Sequence, residues 1–331
     1  WTTSCLLADV NGDGHPDLYN VNYLSGQKLF STICQVNGVK MACHPNEFPG
    51  QQDKLWLSDG QGGFHDATAT SGIEVRDGKG LGIVAANLGG RGLSLFVAND
   101  ATANFLFVPT ARGSQQLFKE EALVRGLALD RQGRPQACMG VAAGDADGDG
   151  RLDLFVTNFY DEPNVFYHQN TEGTFSDTTG RVGLREPGWQ VLGFGTQFLD
   201  GDLDGNPDLV VTNGHVDDLR QLDQPYRMRS QFFRNTGSGH YVELQSNTLG
   251  AYFQREVLGR GMARLDYDRD GRDDVAISHL ESPVSLLANR TPEPGQFLAV
   301  RLVATSTSRD AIGTRVTVRR GAWRRSRQLT A

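Results

Sequence analysis

The sequence lacks the residue spacings that mark the common classes of enzyme. Its 331 residues contain no Gly-x-Ser-x-Gly elbow, no His-Glu-x-x-His, no P-loop and no dinucleotide-binding fingerprint. The seven histidines are scattered singly, and we interpret His215 and His279, which follow predicted strands, as hydrogen-bonded structural residues. We therefore predict a protein that is not an enzyme.

Long apolar runs are also missing. No stretch approaches the roughly 20 apolar residues that a helix needs to cross a bilayer, so we predict no membrane span in this segment. The chain opens on Trp1 without an initiator Met or a signal peptide and stops at Ala331. We expect it to be an excerpt of a longer protein.

Cysteine is scarce, with four residues and no Cys-x-x-Cys, which excludes haem attachment and a zinc knuckle. Cys34 and Cys43 lie in an insertion, residues 31–52, that is rich in Pro, Gly and Asn. We predict a disulfide between them, because it would stabilise a loop with little core of its own, and this suits an oxidising compartment. For Cys5 and Cys138, buried free thiols and a second bridge both remain open.

Charge is distributed unevenly around a net value of −7. From residue 291 onward, eight arginines stand against two acidic residues. This basic tail could indicate an anionic ligand, but a solvated strand face is the favoured interpretation, and nothing further supports nucleic-acid binding. The clustered arginines of the tail are Arg319, Arg320, Arg324, Arg325 and Arg327.

The sequence does contain a repeated nine-residue phrase, with copies that begin at residues 9, 145, 200 and 266. Oxygen side chains stand at its first, third, fifth and ninth positions, and Gly at the sixth permits a sharp turn. So many carboxylates repel one another unless a hard cation lies among them, and Ca²⁺ takes about six to eight oxygen ligands. We therefore predict calcium loops in preference to metal-free hairpin turns. The predicted metal-ligating residues, with the seventh position included, are Asp9, Asn11, Asp13, His15, Asp17, Asp145, Asp147, Asp149, Arg151, Asp153, Asp200, Asp202, Asp204, Asn206, Asp208, Asp266, Asp268, Asp270, Arg272 and Asp274.

An EF-hand opens with the same phrase but requires a Glu at position 12 and flanking helices. Position 12 is here Asn20, Val156, Val211 or Ile277, and an apolar run typical of a strand follows each loop. EF-hand and dockerin interpretations are therefore disfavoured.

The loops recur as parts of a larger repeat. A fifth copy at residues 86–94 keeps the following strand but has lost the acidic side chains, so we predict no calcium there. Each unit continues with further short apolar phrases, and the profile of 40 Gly and 9% aromatic residues suits an all-β chain with many turns. Four-stranded modules repeated along a chain predict the blades of a β-propeller, with an open solenoid as the competing architecture. We count five units, the last without its third phrase. A polar residue that we expect to bond neighbouring backbone ends the strand of each unit: Asn22, Asn99, Asn158, Asn213 and His279.

The loops, the phrase Gly193-Phe194-Gly195-Thr196 and the apolar strands resemble FG-GAP repeats, also called VCBS repeats, which build the integrin α-subunit type of propeller. The segments Val300–Val303 and Ser308–Val318 resemble the start of an ASPIC/UnbV domain. Together these features resemble the cartilage acidic protein family in its bacterial form. The resemblance implies seven blades in the full protein, a partial propeller over residues 1–290 and a truncated β domain over residues 291–331.

From these features we predict a secreted or surface-exposed calcium-binding propeller, located outside the cell or in the periplasm. Its calcium would be structural, and it would act in adhesion or in binding a protein or glycan partner, with the insertion at 31–52 as the contact loop or as a mere spacer. The alternatives are a polysaccharide lyase or hydrolase and an accessory protein of secondary metabolism.

Overall fold

The computed structural model describes residues 1–90, 92–111, 114–171, 173–292, 294–305, 307–321 and 323–331. Arg91, which belongs to the acid-free fifth copy of the loop, lies outside the described residues. Among the described residues, no helix has the length and apolar character that crossing a bilayer requires.

Short β-strands make up nearly all of the regular structure. In chain order they are β1 (Thr2–Ala8), β2 (Asp17–Asn22), β3 (Cys34–Val36), β4 (Val39–Met41), β5 (Lys54–Ser58), β6 (Phe64–Asp66), β7 (Gly80–Ala86), β8 (Ser94–Asn99), β9 (Phe105–Pro109), β10 (Phe118–Glu120), β11 (Val141–Gly144), β12 (Asp153–Val156), β13 (Val165–Gln169), β14 (Phe175–Asp177), β15 (Gly193–Leu199), β16 (Asp208–Asn213), β17 (Met228–Arg229), β18 (Gln231–Asn235), β19 (Tyr241–Glu243), β20 (Glu256–Val257), β21 (Gly259–Leu265), β22 (Asp274–His279), β23 (Ser285–Leu287), β24 (Arg315–Arg320) and β25 (Trp323–Gln328). The helices are the single turns α1 (Thr68–Ser71) and α2 (Ala122–Arg125), with 3₁₀ turns at Pro45–Glu47, Arg220–Leu222 and Ala251–Gln254.

These strands form a β-propeller of five blades within the described residues. Blades 1 to 4 are antiparallel four-stranded sheets with the orders β1-β2-β5-β6, β7-β8-β9-β10, β11-β12-β13-β14 and β15-β16-β18-β19. Blade 5 has the three strands β21-β22-β23. The first strands of successive blades contact one another in chain order. The predicted fold is therefore confirmed, including the shorter fifth unit, whereas the total of seven blades stays a prediction.

Glycine permits the close approach of these first strands. A Cβ on Gly82 would lie 2.2 Å from the carbonyl oxygen of Met139 in the next blade. A Cβ on Gly140 would likewise lie 1.9 Å from the carbonyl oxygen of Phe194. Only a residue without a side chain fits at such positions.

In blades 2, 3 and 4 the second strand lies between neighbouring blades and is buried on both faces. Every residue of β8, β12 and β16 is buried. This explains why these strands are nearly continuous apolar runs. Between blades 3 and 4, for example, Phe155, Phe198 and Phe233 belong to one buried cluster.

The insertion of blade 1 forms the hairpin β3–β4, which the disulfide Cys34–Cys43 closes with a Cα–Cα distance of 4.9 Å. The predicted disulfide is therefore confirmed. Cys5 and Cys138 are both free thiols and form no second bridge; the expected burial is confirmed for Cys138 and wrong for Cys5, which is exposed. The insertion crosses to blade 4, where the N–H of Ala42 donates to Asp217 Oδ2 at 3.0 Å.

Candidate metal centre

The four acidic loops lie at the same end of the propeller, because each connects the first strand of its blade to the second. They join β1 to β2, β11 to β12, β15 to β16 and β21 to β22. The acid-free copy occupies the corresponding connection from β7 to β8 in blade 2.

The first position of each loop fixes the turn. Its carboxylate accepts the N–H of the Gly at the sixth position, and that Gly has a positive φ that L side chains rarely adopt. The pairs are Asp9–Gly14 at 2.9 Å, Asp145–Gly150 at 3.0 Å, Asp200–Gly205 at 3.1 Å and Asp266–Gly271 at 3.0 Å. The φ values of the four glycines are 95°, 92°, 88° and 83°.

The ninth position connects the loop to the third strand of its blade. In blade 4, Asp208 is 2% exposed, and its Oδ1 accepts the N–H of Asn235 at 2.8 Å while its Oδ2 accepts that of Gly201 at 3.1 Å. Both oxygens are bound in the same pattern in the other three acidic blades, by Asp17, Asp153 and Asp274. This residue therefore organises the loop backbone whether or not a cation is bound.

The fifth and seventh positions complete the loop. In all four copies the fifth-position carboxylate accepts the N–H of the seventh residue, as in Asp204 from Asn206 at 2.7 Å. The seventh residues differ in side chain, and an arginine cannot coordinate a cation. The ligand atom that all four seventh residues can supply is therefore the backbone carbonyl oxygen of His15, Arg151, Asn206 or Arg272.

The loops of blades 3 and 4 show the clearest features of a cation site. Asp145 and Asp200 each keep one buried oxygen, Oδ1, without a hydrogen-bond partner in the part of the chain that the structure describes. Burial and then the neighbouring Asp149 raise the pKa of Asp145 to about 6, and burial raises the pKa of Asp208 to about 7. A bound cation would supply the missing partner and relieve the repulsion between carboxylates.

Possible ligand atoms cluster in three loops, within 4.8 Å of one another: Asp147, Asp149 and His168; Asp200, Asp202 and Asp204; Asp266, Asp268 and Asp274. The loop of blade 1 is absent from these clusters in the described chain, since Asn11 replaces an acid there and its Nδ2 donates to Asp13 at 2.9 Å. In blade 5, Arg290 pairs with Asp268 at 2.9 Å, so its positive charge partly neutralises the carboxylates of that loop.

The C-terminal segment lies across the loops of blades 3 and 4. Arg315 and Arg324 donate to the carbonyl oxygens of Gly150 at 2.9 Å and Asp149 at 3.1 Å. Arg325 donates to the Gly205 carbonyl at 3.2 Å, and Arg327 Nη2 lies 3.5 Å from Asp200 Oδ2. Arg324 and Arg327 nevertheless stay exposed, as the prediction of a solvated strand face expected, whereas Arg325 is half-buried against the loops. Arg319 and Arg320 are exposed, as that prediction expected.

The same segment completes the acid-free loop. In acidic copies, the ninth-position Asp accepts the N–H of the second residue, but blade 2 has Ser94 at that position. The N–H of Asn87, the second residue, instead donates to Gln328 Oε1 of β25 at 2.8 Å. Ala331 also pairs through both backbone groups with Ala85 at the end of β7. The lost carboxylate is thus replaced by a residue that is remote in sequence.

The polar strand-end residues have the predicted structural role. The side-chain amides of Asn22, Asn99, Asn158 and Asn213 donate to backbone carbonyls, and His279 Nδ1 lies 3.0 Å from the Pro283 carbonyl oxygen. His215 is fully buried, and its Nδ1 accepts the N–H of Asp217 at 3.1 Å. Burial lowers the pKa of His215.

Residues 145–211, which contain the loops of blades 3 and 4, match the family model of the FG-GAP-like repeat. The chain is 25% identical to human (Homo sapiens) cartilage acidic protein 1 over 284 residues, which cover 84% of this chain and 38% of that protein. It therefore spans well under half the length of this relative. Among solved structures, the chain is similar to the Tc holotoxin pore of Photorhabdus luminescens with the mutation TccC3-D651A at 13% identity and a TM-score of 0.38, over 98% of this chain and 14% of that one. The resemblance of the tail to an ASPIC/UnbV domain stays a prediction.

Proposed function

We propose that the protein is a calcium-stabilised propeller that acts outside the cell, at its surface or in the periplasm, as a non-enzymatic module binding a protein or glycan. The observation that carries the metal assignment is the pair of buried, unpartnered oxygens of Asp145 and Asp200. Calcium would neutralise the loop carboxylates, which the chain already arranges by hydrogen bonds to backbone amides.

The proposed location outside the cell agrees with the calcium affinity expected for such loops. Extracellular calcium modules bind with a Kd of about 10⁻⁴–10⁻³ M, which is adequate outside a cell. The disulfide Cys34–Cys43 belongs to the same kind of environment, since such bonds persist where the medium is oxidising.

The contact surface of this module is the disulfide-closed insertion at 31–52 with the residues beside it. Phe30 is 84% exposed and Ile33 64% exposed, and the ring of Trp1 packs against Phe30 at 5.6 Å between centroids. Exposed apolar side chains grouped beside a disulfide-stabilised hairpin are typical of an interaction site.

We further propose that the chain consists of two parts. Residues 1–290 form the propeller portion and residues 291–331 the start of an ASPIC/UnbV-like domain. The contacts of Arg315 and Gln328 with the loop end describe how this second segment lies against the blades.

Calcium is expected to raise the melting temperature of the protein, and a chelator is expected to lower it. At a free concentration ten times the Kd, each site adds about 1.4 kcal/mol to the free energy of unfolding. Scanning calorimetry with isothermal titration measures both the stabilisation and the stoichiometry. The double variant Asp147→Ala/Asp149→Ala should lose one site, while Asn87→Ala in the acid-free loop should keep the wild-type stoichiometry. A melting curve that is identical with calcium and with chelator would refute the metal assignment.

Binding through the insertion is tested with immobilised panels of acidic and neutral polysaccharides and of purified extracellular proteins. We expect the double variant Phe30→Ser/Ile33→Ser to lose at least about tenfold in affinity for any panel member that the wild type binds, as for the central residues of an interface. Phe64→Ser, at an exposed position of β6, is the matched control. Equal binding by all three proteins would remove the insertion from the proposal.

A further inference from the structure

We infer that the loop of blade 3 is a mixed imidazole–carboxylate site that prefers a divalent ion of the zinc class to calcium. This inference rests on the proposed function, because it concerns one of the loops proposed to hold calcium. Its basis is His168 of β13. The imidazole Nδ1 lies 3.0 Å from Asp153 Oδ1 and 3.7 Å from Asp147 Oδ2.

Blade 3 differs here from the other acidic blades. His168 precedes Gln169, whose N–H binds the ninth-position carboxylate. The residues at the corresponding place are Leu57 in blade 1, Arg234 in blade 4 and Ala288 in blade 5. Arg234 pairs with Asp202 at 3.0 Å and cannot coordinate a metal. Of the four acidic blades, as described, blade 3 alone therefore places a metal-ligating side chain at this point.

A second observation points to a ligand in the same loop. Asp145 is 5% exposed, and its Oδ2 accepts the N–H of Gly150 at 3.0 Å, so the carboxylate faces the inside of the turn. Its Oδ1 is buried without a partner in the described chain. Ligand atoms of Asp147, Asp149 and His168 also lie within 4.8 Å of one another, close enough to share one ion.

The chemistry of this donor set selects the ion. Calcium prefers oxygen ligands, whereas imidazole suits zinc, copper, iron and nickel. The same ring nitrogen, Nδ1, faces both Asp153 and Asp147, so an ion bound to Nδ1 would replace its present contact with Asp153. Arg151 pairs with Asp149, so a bound ion would have to displace that contact.

Isothermal titration of the chelator-treated full chain with ZnCl₂ and, separately, with CaCl₂ tests the inference. We expect one zinc site in the wild type that His168→Ala weakens at least about tenfold, with calcium binding by the blade 4 loop unchanged. His65→Ala, which removes an exposed histidine of β6, should keep the wild-type zinc affinity. Zinc binding that survives His168→Ala, or that is lost equally in His65→Ala, would overturn the site.

Two further measurements keep the test decisive. Zinc should shift the ring-nitrogen resonances of His168 in the wild-type protein, a readout that needs no variant, and unshifted resonances at saturating zinc would contradict the inference. His168→Gln keeps a polar side chain of similar reach if the Ala variant folds poorly, and should show the same zinc loss. Calcium stabilisation without a zinc site would refute this inference alone, whereas a zinc site without calcium stabilisation would refute the proposed calcium function.

Discussion

Asp208→Ala is expected to lower the free energy of unfolding by about 2–6 kcal/mol, even when calcium has been removed by a chelator. The wild-type carboxylate is 2% exposed and accepts the backbone N–H groups of Gly201 and Asn235. Alanine would leave both donors without a partner, and each unsatisfied buried donor costs about 1–3 kcal/mol. Urea denaturation in the presence of a chelator at about pH 4 measures this effect. Burial raises the pKa of Asp208 to about 7, so at this pH the folded protein carries little of the cost of a buried charge that alanine would relieve.

Asp202→Ala, at the third position of the same loop, is the matched control. Asp202 pairs with Arg234 at the surface and accepts the N–H of Asp204 at a long 3.3 Å, so its loss should cost little without calcium. It should instead remove calcium-dependent stability. Equal losses for the two variants under chelation would show that the ninth position has no structural role of its own.

Much of the fold could be predicted from the sequence, because the loop phrase is a local signal. The Gly at the sixth position is required by the backbone of its own turn, and the apolar run after each loop follows from burial of strands such as β12 and β16 on both faces. Recurrence of the phrase then gave the number of blades. The short loop between Cys34 and Cys43 likewise allowed the disulfide to be predicted from nearby residues.

The features that could not be predicted from the sequence depend on contacts between residues that are distant along the chain. Gln328 binds the Asn87 amide across 241 positions, and no feature near either residue indicates this pairing. The contact of Arg325 with the Gly205 carbonyl depends in the same way on where the tail crosses the loops. His168 lies in β13, and its position beside the carboxylates becomes evident only when the third strands of the blades are aligned by structure.

The free energy of unfolding of Asp53→Asn, relative to that of the wild type, is expected to rise as the pH rises from about 4 to about 7. Asp53 is 5% exposed, accepts the hydroxyl of Tyr19 at 2.9 Å and the N–H of Asn22 at 2.7 Å, and burial raises its pKa to about 6. A carboxyl with a raised folded-state pKa binds its proton more tightly when folded, so its ionisation opposes folding. This cost is absent below the unfolded pKa of about 3.9, grows up to about pH 6 and is then constant at about 3 kcal/mol.

The readout is the difference in unfolding free energy between wild type and Asp53→Asn, measured by urea denaturation across this pH range at one fixed calcium concentration. The other carboxylates are the same in both proteins and cancel in the difference. Any constant cost of changing the Tyr19 hydrogen bond shifts the difference by the same amount at every pH and leaves its trend unchanged. Asp66→Asn in β6 is the control with almost no pH trend over this range, because the hydrogen bond from Lys54 holds the pKa of Asp66 below its ordinary value. The stability that Asp66 contributes is present above its unfolded pKa and is lost as the pH falls through the folded one. Parallel pH trends for the two variants, or a flat difference for Asp53→Asn, would show that Asp53 ionises in the folded protein without this penalty.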